Sequence, residues 1–184
     1  MNKPWILLTN DDGVDSPILI PLMHALKNVA QVKVVVPASE CSWTSKIMSR
    51  FETLEVVHKE VAGERLTTLS GYPADCTNAG VFSLFSSRPS LVVSGINMGD
   101  NAGLAYFLSS GTVGAAVEGH LAGVPALAFS QRFDSEDYNY WRSERQLTNK
   151  SKAKLSCSIE VARKIVGEVW ERGLPNGADL MTVN

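Results

Sequence analysis

The sequence predicts an α/β fold: an open, mostly parallel sheet with helices on both faces. Four apolar runs, Trp5 to Thr9, Val32 to Val36, Leu91 to Ser94 and Ala126 to Ser130, have the length of strands. They are continuous where a half-exposed strand would alternate, as expected of strands covered on both sides. Stretches with helical spacing separate them, and strand–helix alternation of this kind brings strands together in parallel.

The elements follow in chain order. After the first strand, Leu19, Leu22, Met23 and Leu26 share one helical face. The second strand runs into a Ser- and Thr-rich irregular segment, Pro37 to Arg50. Arg65 to Ser70 is a more polar candidate strand. Val113, Ala116, Val117, His120 and Leu121 draw a second helical face, with His120 read as packing on it. Leu155, Ile159, Ala162, Val166 and Val169 draw a third. The polar segment Gln131 to Lys150, with Tyr138, Tyr140 and Trp141, reads as a surface excursion, a lid being the alternative. Leu180 to Asn184 reads as the start of another buried strand, so a single domain over 1–184, truncated at its C-terminus, is expected.

Composition bounds the function. The chain has 184 residues, enough for one well-buried core, with 45% hydrophobic and 20% charged residues. A net charge of −2 creates no field that would draw the molecule to large nucleic acid or an anionic membrane. Any phosphate-bearing ligand is therefore held by local groups. Cys41, Cys76 and Cys157 are too few and scattered for a disulfide framework or a zinc site, so reduced thiols and a cytoplasmic protein are expected. The run Trp5 to Leu8 is far too short for a signal peptide or a membrane helix.

Chemistry concentrates where strands end. Asn10-Asp11-Asp12-Gly13 leaves the first strand at the crevice where open α/β sheets bind ligands. Two adjacent carboxylates repel each other unless a positive charge lies beside them, and a hard divalent cation with oxygen ligands supplies one. A plain turn fits the same four residues; their place after a fully apolar strand favours the metal. A second loop, Ser94 to Gly103, carries glycines at 95, 99 and 103, with Asn97 offering an oxygen to a metal and Asn101 an amide to a phosphate. Ser109-Ser110-Gly111-Thr112 then opens a helix, where hydroxyls, free amides and the helix dipole favour an anion beyond what an ordinary N-cap requires. Ser42 is a further oxygen donor, and Trp43 beside it reads as an anchor for its loop, with ring stacking as the alternative. No Gly-x-Ser-x-Gly elbow and no Gly-Lys-Ser/Thr phosphate loop is present.

These blocks together resemble the survival protein SurE family of metal-dependent nucleoside monophosphate phosphatases. The resemblance rests on Asn10-Asp11-Asp12-Gly13, Tyr72-Pro73-Ala74-Asp75-Cys76, Val93-Ser94-Gly95-Ile96-Asn97, and Ser110-Gly111-Thr112 followed by Glu118-Gly119, and runs through to the terminal Leu-x-x-Val-Asn. It implies a Rossmann-like sheet lacking the C-terminal part of the family fold. By position it places one divalent metal ion per subunit, Mg2+ or Mn2+, on Asp11, Asp12, Ser42 and Asn97. Asn101, Ser110, Gly111 and Thr112 fall on the phosphate. The implied reaction is hydrolysis of a nucleoside 5′- or 3′-monophosphate or other small phosphomonoester, with Asp11 and Asp12 as the catalytic pair. A homodimer or homotetramer is implied if the C-terminal segment is present.

Three departures stand out. Gly71-Tyr72-Pro73 replaces the family's Gly-Thr-Pro, Gly99-Asp100-Asn101 replaces Gly-Pro-Asn, and Cys41 and Trp43 flank Ser42. Asp100 brings an extra negative charge toward the phosphate position. Asp100, Tyr72 and the expected truncation keep one rival open: a catalytically weak or inactive module that binds metal and nucleotide and acts through partners. A response-regulator receiver is rejected, since Ser70-Gly71 stands where its phosphorylated aspartate is required, and a haloacid-dehalogenase-like phosphatase needs its two aspartates one residue apart.

Overall fold

The computed structural model describes residues 3–144 and 146–184. Its centre is a seven-stranded sheet in the order β3-β4-β2-β1-β5-β6-β7. The strands are β1 (Trp5–Thr9), β2 (Gln31–Pro37), β3 (Val56–Val61), β4 (Glu64–Leu69), β5 (Leu91–Asn97), β6 (Ala126–Ser130) and β7 (Met181–Val183). All neighbours are parallel except β3, which pairs antiparallel with β4 from Val56 opposite Leu69 to Val61 opposite Glu64. The doubly covered α/β sheet expected from the apolar runs is therefore present, and the fifth, polar run is β4.

Alternation within the apolar runs divides the core into two halves. Ile6 and Leu8, with Val34 and Val36, face one side and pack on helices α1 (Leu19–Leu26) and α6 (Asn149–Arg172). Trp5 and Leu7, with Val35, face the other and pack beneath α2 (Pro73–Phe82) and α4 (Gly111–Leu121). Burial on both faces removes any reason for polar alternation, which is why these strands read as unbroken hydrophobic runs.

Helices α2 and α4 lie close to the sheet because their contact residues are small. A Cβ at Gly80 would stand 2.7 Å from Leu7 Cδ2, and one at Gly119 2.9 Å from Val92 Cγ2. The face expected for α4 is accordingly displaced. Val113 and Ala116 are buried, but Leu121 is 65% exposed and His120 is only half-buried. The buried side carries Gly114, Ala115, Glu118 and Gly119 instead. Glu118 is tolerated there because Lys46 Nζ lies 2.7 Å from one carboxylate oxygen and Asn78 donates to the other at 2.8 Å.

The segment expected as an excursion, 131–150, contains helix α5 (Ser135–Glu144) and the first turn of α6. It forms part of the packed body: Phe133 and Trp141 are buried in the same core half as α6. The final apolar residues form β7, parallel to β6. No helix among the described residues is long and apolar enough to cross a membrane.

Candidate active site

Chain order reverses direction between β1 and β5, since β2 lies on one side of β1 and β5 on the other. The crevice beyond the carboxyl ends of such a pair is where α/β sheets take ligands. A cavity of about 430 Å³ opens there. Asp11, Asp12, Ser42, Asn97, Asn101 and Ser110, all expected site residues, line it together. They come from four separate segments, so only the sheet brings them to one place.

The Asn-Asp-Asp-Gly segment combines the turn and the acid pair. The Asn10 side chain donates to the Gly13 carbonyl and accepts from the Gly13 amide, each at 3.0 Å. Gly13 has φ +82, and a Cβ there would crowd the Pro37 carbonyl at 3.2 Å. Asn10 and Gly13 thus make the turn, and Asp11 and Asp12 are presented at its tip. The Cys41 amide donates to the Asp11 carbonyl at 2.7 Å, fixing the loop after β2 against it.

Asp11 is 4% exposed. Burial pushes its carboxyl above its ordinary range, and the nearby Glu40 charge adds to this; hydrogen bonds from Thr112 act in the opposite direction. The Thr112 hydroxyl donates to Asp11 Oδ1 at 2.6 Å, and its backbone joins the same carboxylate. Thr112 is fully buried behind the acid pair, and its donors meet Asp11. Gly111 sits beside it, where a Cβ would lie 3.0 Å from both Asp11 Cβ and the Cys41 carbonyl. Cys41 lies in the same negative surroundings. Burial, then Asp11, Glu40 and Asp75, push its thiol up to about 11.

The β5 loop is shaped by Gly95, at φ +116, whose Cβ position would overlap the Phe129 carbonyl oxygen on β6. This close approach breaks the β5–β6 register between Ser94 and Asn97 and turns Asn97 toward the cavity. Asn101 is buried; its amide donates to Ser130 Oγ at 2.7 Å, and its backbone amide donates to Asn184 Oδ1 at 3.0 Å. Ser110 N-caps α4, its hydroxyl oxygen accepting from the Val113 amide at 3.2 Å, which leaves its O–H free to donate elsewhere. The Ser42 hydroxyl donates to Glu40 at 2.8 Å.

Several lining residues lie outside the expected set. Glu40 adds a carboxylate to those of Asp11, Asp12 and Asp100, Arg132 reaches Asp100 at 3.7 Å and offsets its charge, and Tyr106 comes from α3 (Leu104–Ser109). Trp43 does not anchor its loop in the core: it is 71% exposed at the cavity rim. Glu40 could have been noticed as a carboxylate two residues before Ser42; the others carry no local signal.

The donor set fits a hard divalent cation. Asp11, Asp12, Ser42 and Asn97 present carboxylate, hydroxyl and carboxamide oxygens to one cavity. Among the described residues no three of His, Cys, Asp and Glu gather into a metal cluster. Such a site therefore depends on the neutral oxygens of Ser42 and Asn97 to complete its coordination.

Known proteins resemble this chain along nearly its whole length. The model of the family described as survival protein SurE matches residues 6–184. The chain belongs to the SurE family. The 5'-nucleotidase SurE of Methanocella arvoryzae is 35% identical over 184 residues, covering 97% of this chain and 65% of the relative. That of Variovorax paradoxus is 41% identical over 180 residues, covering 97% and 64%. The crystal structure of the SurE protein from Aquifex aeolicus superposes with a TM-score of 0.75 at 33% identity, covering 94% of this chain and 62% of that one. This SurE-family chain spans about two thirds of the length of the curated relatives it matches.

Proposed function

We propose that this chain hydrolyses phosphomonoesters, specifically nucleoside 5′- or 3′-monophosphates, with one Mg2+ or Mn2+ held by Asp11, Asp12, Ser42 and Asn97. One observation carries the proposal. The 2.6 Å bond from Thr112 to Asp11 joins the acid pair to the start of α4, so cation ligands and anion donors border a single cavity. A ligand that is anionic yet coordinates a metal suits such a border, and a phosphate monoester is one. The names of the relatives, 5'-nucleotidase SurE, support the same substrate class.

A divalent cation bound there supplies Lewis-acid polarisation of a phosphoryl oxygen and a more acidic water. The chain's own residues do the rest. Ser110 offers its O–H and Gly111 an N–H at the first turn of α4, where amides lack intrahelical partners. The Asn101 amide, already oriented by Ser130, retains a second N–H. Together these donors hold the charge that develops on the equatorial oxygens. Thr112 acts through Asp11, aiming that carboxylate and opposing its protonation. Asp11 or Asp12, the paired carboxylates that line the cavity, would accept the proton of the attacking water. A cytoplasmic setting belongs to the proposal, supported by three free thiols. So do one α/β domain and, where a C-terminal segment is present, a homodimer or homotetramer.

The rival is a module that binds metal and nucleotide without turnover. One observation favours it: Glu40 adds a carboxylate to the acid pair in the cavity, and Asp100 adds another that Arg132 only partly offsets. Phosphate release from a panel of nucleoside monophosphates, with Mn2+, Mg2+ or chelator, separates the readings. Metal-dependent release that Asp11→Asn abolishes supports the hydrolase. Asp11-dependent Mn2+ binding without release supports the module.

A further inference from the structure

The floor of the cavity is polar, but its rim is aromatic. Trp43 and Tyr106 line it with ring centroids 5.9 Å apart at an interplanar angle of 56°. Trp43 is 71% and Tyr106 50% exposed, so neither ring owes its position to core burial. Large aromatic faces left to water beside a ligand-sized cavity are unusual, and pockets of 300–1,000 Å³ hold small molecules through such surfaces.

The pair is also held in place. Trp43 adopts φ +62, a conformation uncommon for a bulky residue. Next to it, the Thr44 hydroxyl donates to the Cys41 carbonyl at 2.8 Å. The Ser45 amide donates to the Ser109 carbonyl at 2.9 Å and its hydroxyl to the Leu108 carbonyl at 2.6 Å. The loop bearing Trp43 is thereby pinned to the helix bearing Tyr106. A Cβ at Gly114 would overlap the Ser45 carbonyl, so this loop packs directly against the backbone of α4. Two rings that the core does not need are fixed on a rigid frame, with Trp43 one residue from Ser42.

We propose that Trp43 and Tyr106 form a stacking platform for the base of a nucleoside monophosphate whose phosphate lies at the acid end of the cavity. The inference rests on the phosphomonoesterase reading and adds the residues that select a nucleotide over a simple phosphate ester. Stacking on an aromatic face tolerates any base, so the platform discriminates base-bearing from base-free substrates more than one base from another.

The test compares AMP with ribose 5-phosphate, which lacks the base, in the full chain with Mn2+. Loss of one stacking contact corresponds to about a tenfold change in affinity. In Trp43→Ala the ratio of KM for AMP to KM for ribose 5-phosphate is expected to rise about tenfold. Trp43→Phe, which keeps a ring, restores most of it, and Tyr106→Ala shifts the ratio the same way. A ratio unchanged in Trp43→Ala and Tyr106→Ala overturns the platform, whatever happens to kcat. If neither ester is hydrolysed, the enzymatic reading fails and calorimetric binding of AMP decides the platform separately. AMP affinity about tenfold weaker in Trp43→Ala sustains it; no AMP binding, or binding indifferent to both substitutions, overturns it.

Discussion

The Thr112 hydroxyl donates a 2.6 Å hydrogen bond to Asp11 Oδ1 across 101 residues of chain. Both partners are buried, one opening α4 and the other leaving β1. A charge-assisted bond in this setting orients a carboxylate and resists its protonation.

Thr112→Val keeps the shape and removes the donor. With that lowering influence gone, Asp11 holds its proton to higher pH, and protons compete with metal for the carboxylate. The pH midpoint of Mn2+ binding is expected to move upward, and affinity at neutral pH to fall about tenfold, the lower figure for loss of an outer-shell partner. Titration of Mn2+ across pH checks this, with Thr112→Ser expected to retain wild-type behaviour.

Asp11→Asn is expected to stabilise the metal-free protein while removing its response to metal. Burial raises the Asp11 carboxyl above its ordinary 3.8. As pH rises from there, the unfolded chain ionises first, so stability present below 3.8 is lost as pH passes through the raised folded value. Asparagine has no such penalty and can still accept from Thr112. At neutral pH in chelator the variant's Tm should exceed that of the wild type, and the rise in Tm on adding Mn2+ should vanish. A lower Tm in chelator would show that the buried charge is already compensated.

Gly95→Ala places a methyl group on the Phe129 carbonyl oxygen at a φ of +116. Backbone strain of this kind costs about 1–3 kcal/mol before the overlap is relieved, and relief requires separating β5 from β6. Urea denaturation should show a loss at the upper end of that range or beyond, with Asn97 displaced and Mn2+ binding weakened in parallel.

Lys46→Met leaves the Glu118 carboxylate buried on α4 with Asn78 as its remaining described partner. Removing one member of a buried pair costs about 3–5 kcal/mol. Lys46 is itself 30% exposed, which points to the lower figure. Glu118→Gln retains the Asn78 contact and loses the buried charge, so it should cost much less. Equal losses in the two variants by urea denaturation would contradict this account.

Where side chains of one type sit at one spacing, the sequence was readable. Helix α1 buries Leu19, Leu22, Met23 and Leu26 as expected, and β1 and β6 have the expected bounds. Strand β3 was invisible because it lies at the sheet edge, exposed from Val56 to Glu60, with no buried face to impose a pattern. Helix α2 hid for the opposite reason: Pro73, Ala74, Asp75, Cys76, Thr77 and Gly80 are all buried, and buried residues that are mostly small or polar draw no apolar stripe. The face of α4 was misplaced because close packing selects Gly114 and Gly119 where periodicity looks for large apolar residues.

By itself the sequence determined the two-sided sheet, the strand-end position of Asn10 to Gly13 and the oxygen-rich character of its neighbours, because these are properties of contiguous residues. Only the tertiary structure decided that Asn10 and Gly13 make the turn while Asp11 and Asp12 face the cavity, and that Thr112 turns to Asp11. It also decided that Arg132 meets Asp100 and that Trp43 and Tyr106 share a rim. The pairings of Thr112 with Asp11, Arg132 with Asp100 and Trp43 with Tyr106 join side chains whose neighbours in sequence say nothing of the other. Their distances are set by how the strands align and how closely α4 and its loops can approach the sheet, which glycines such as Gly80, Gly114 and Gly119 control through what they lack.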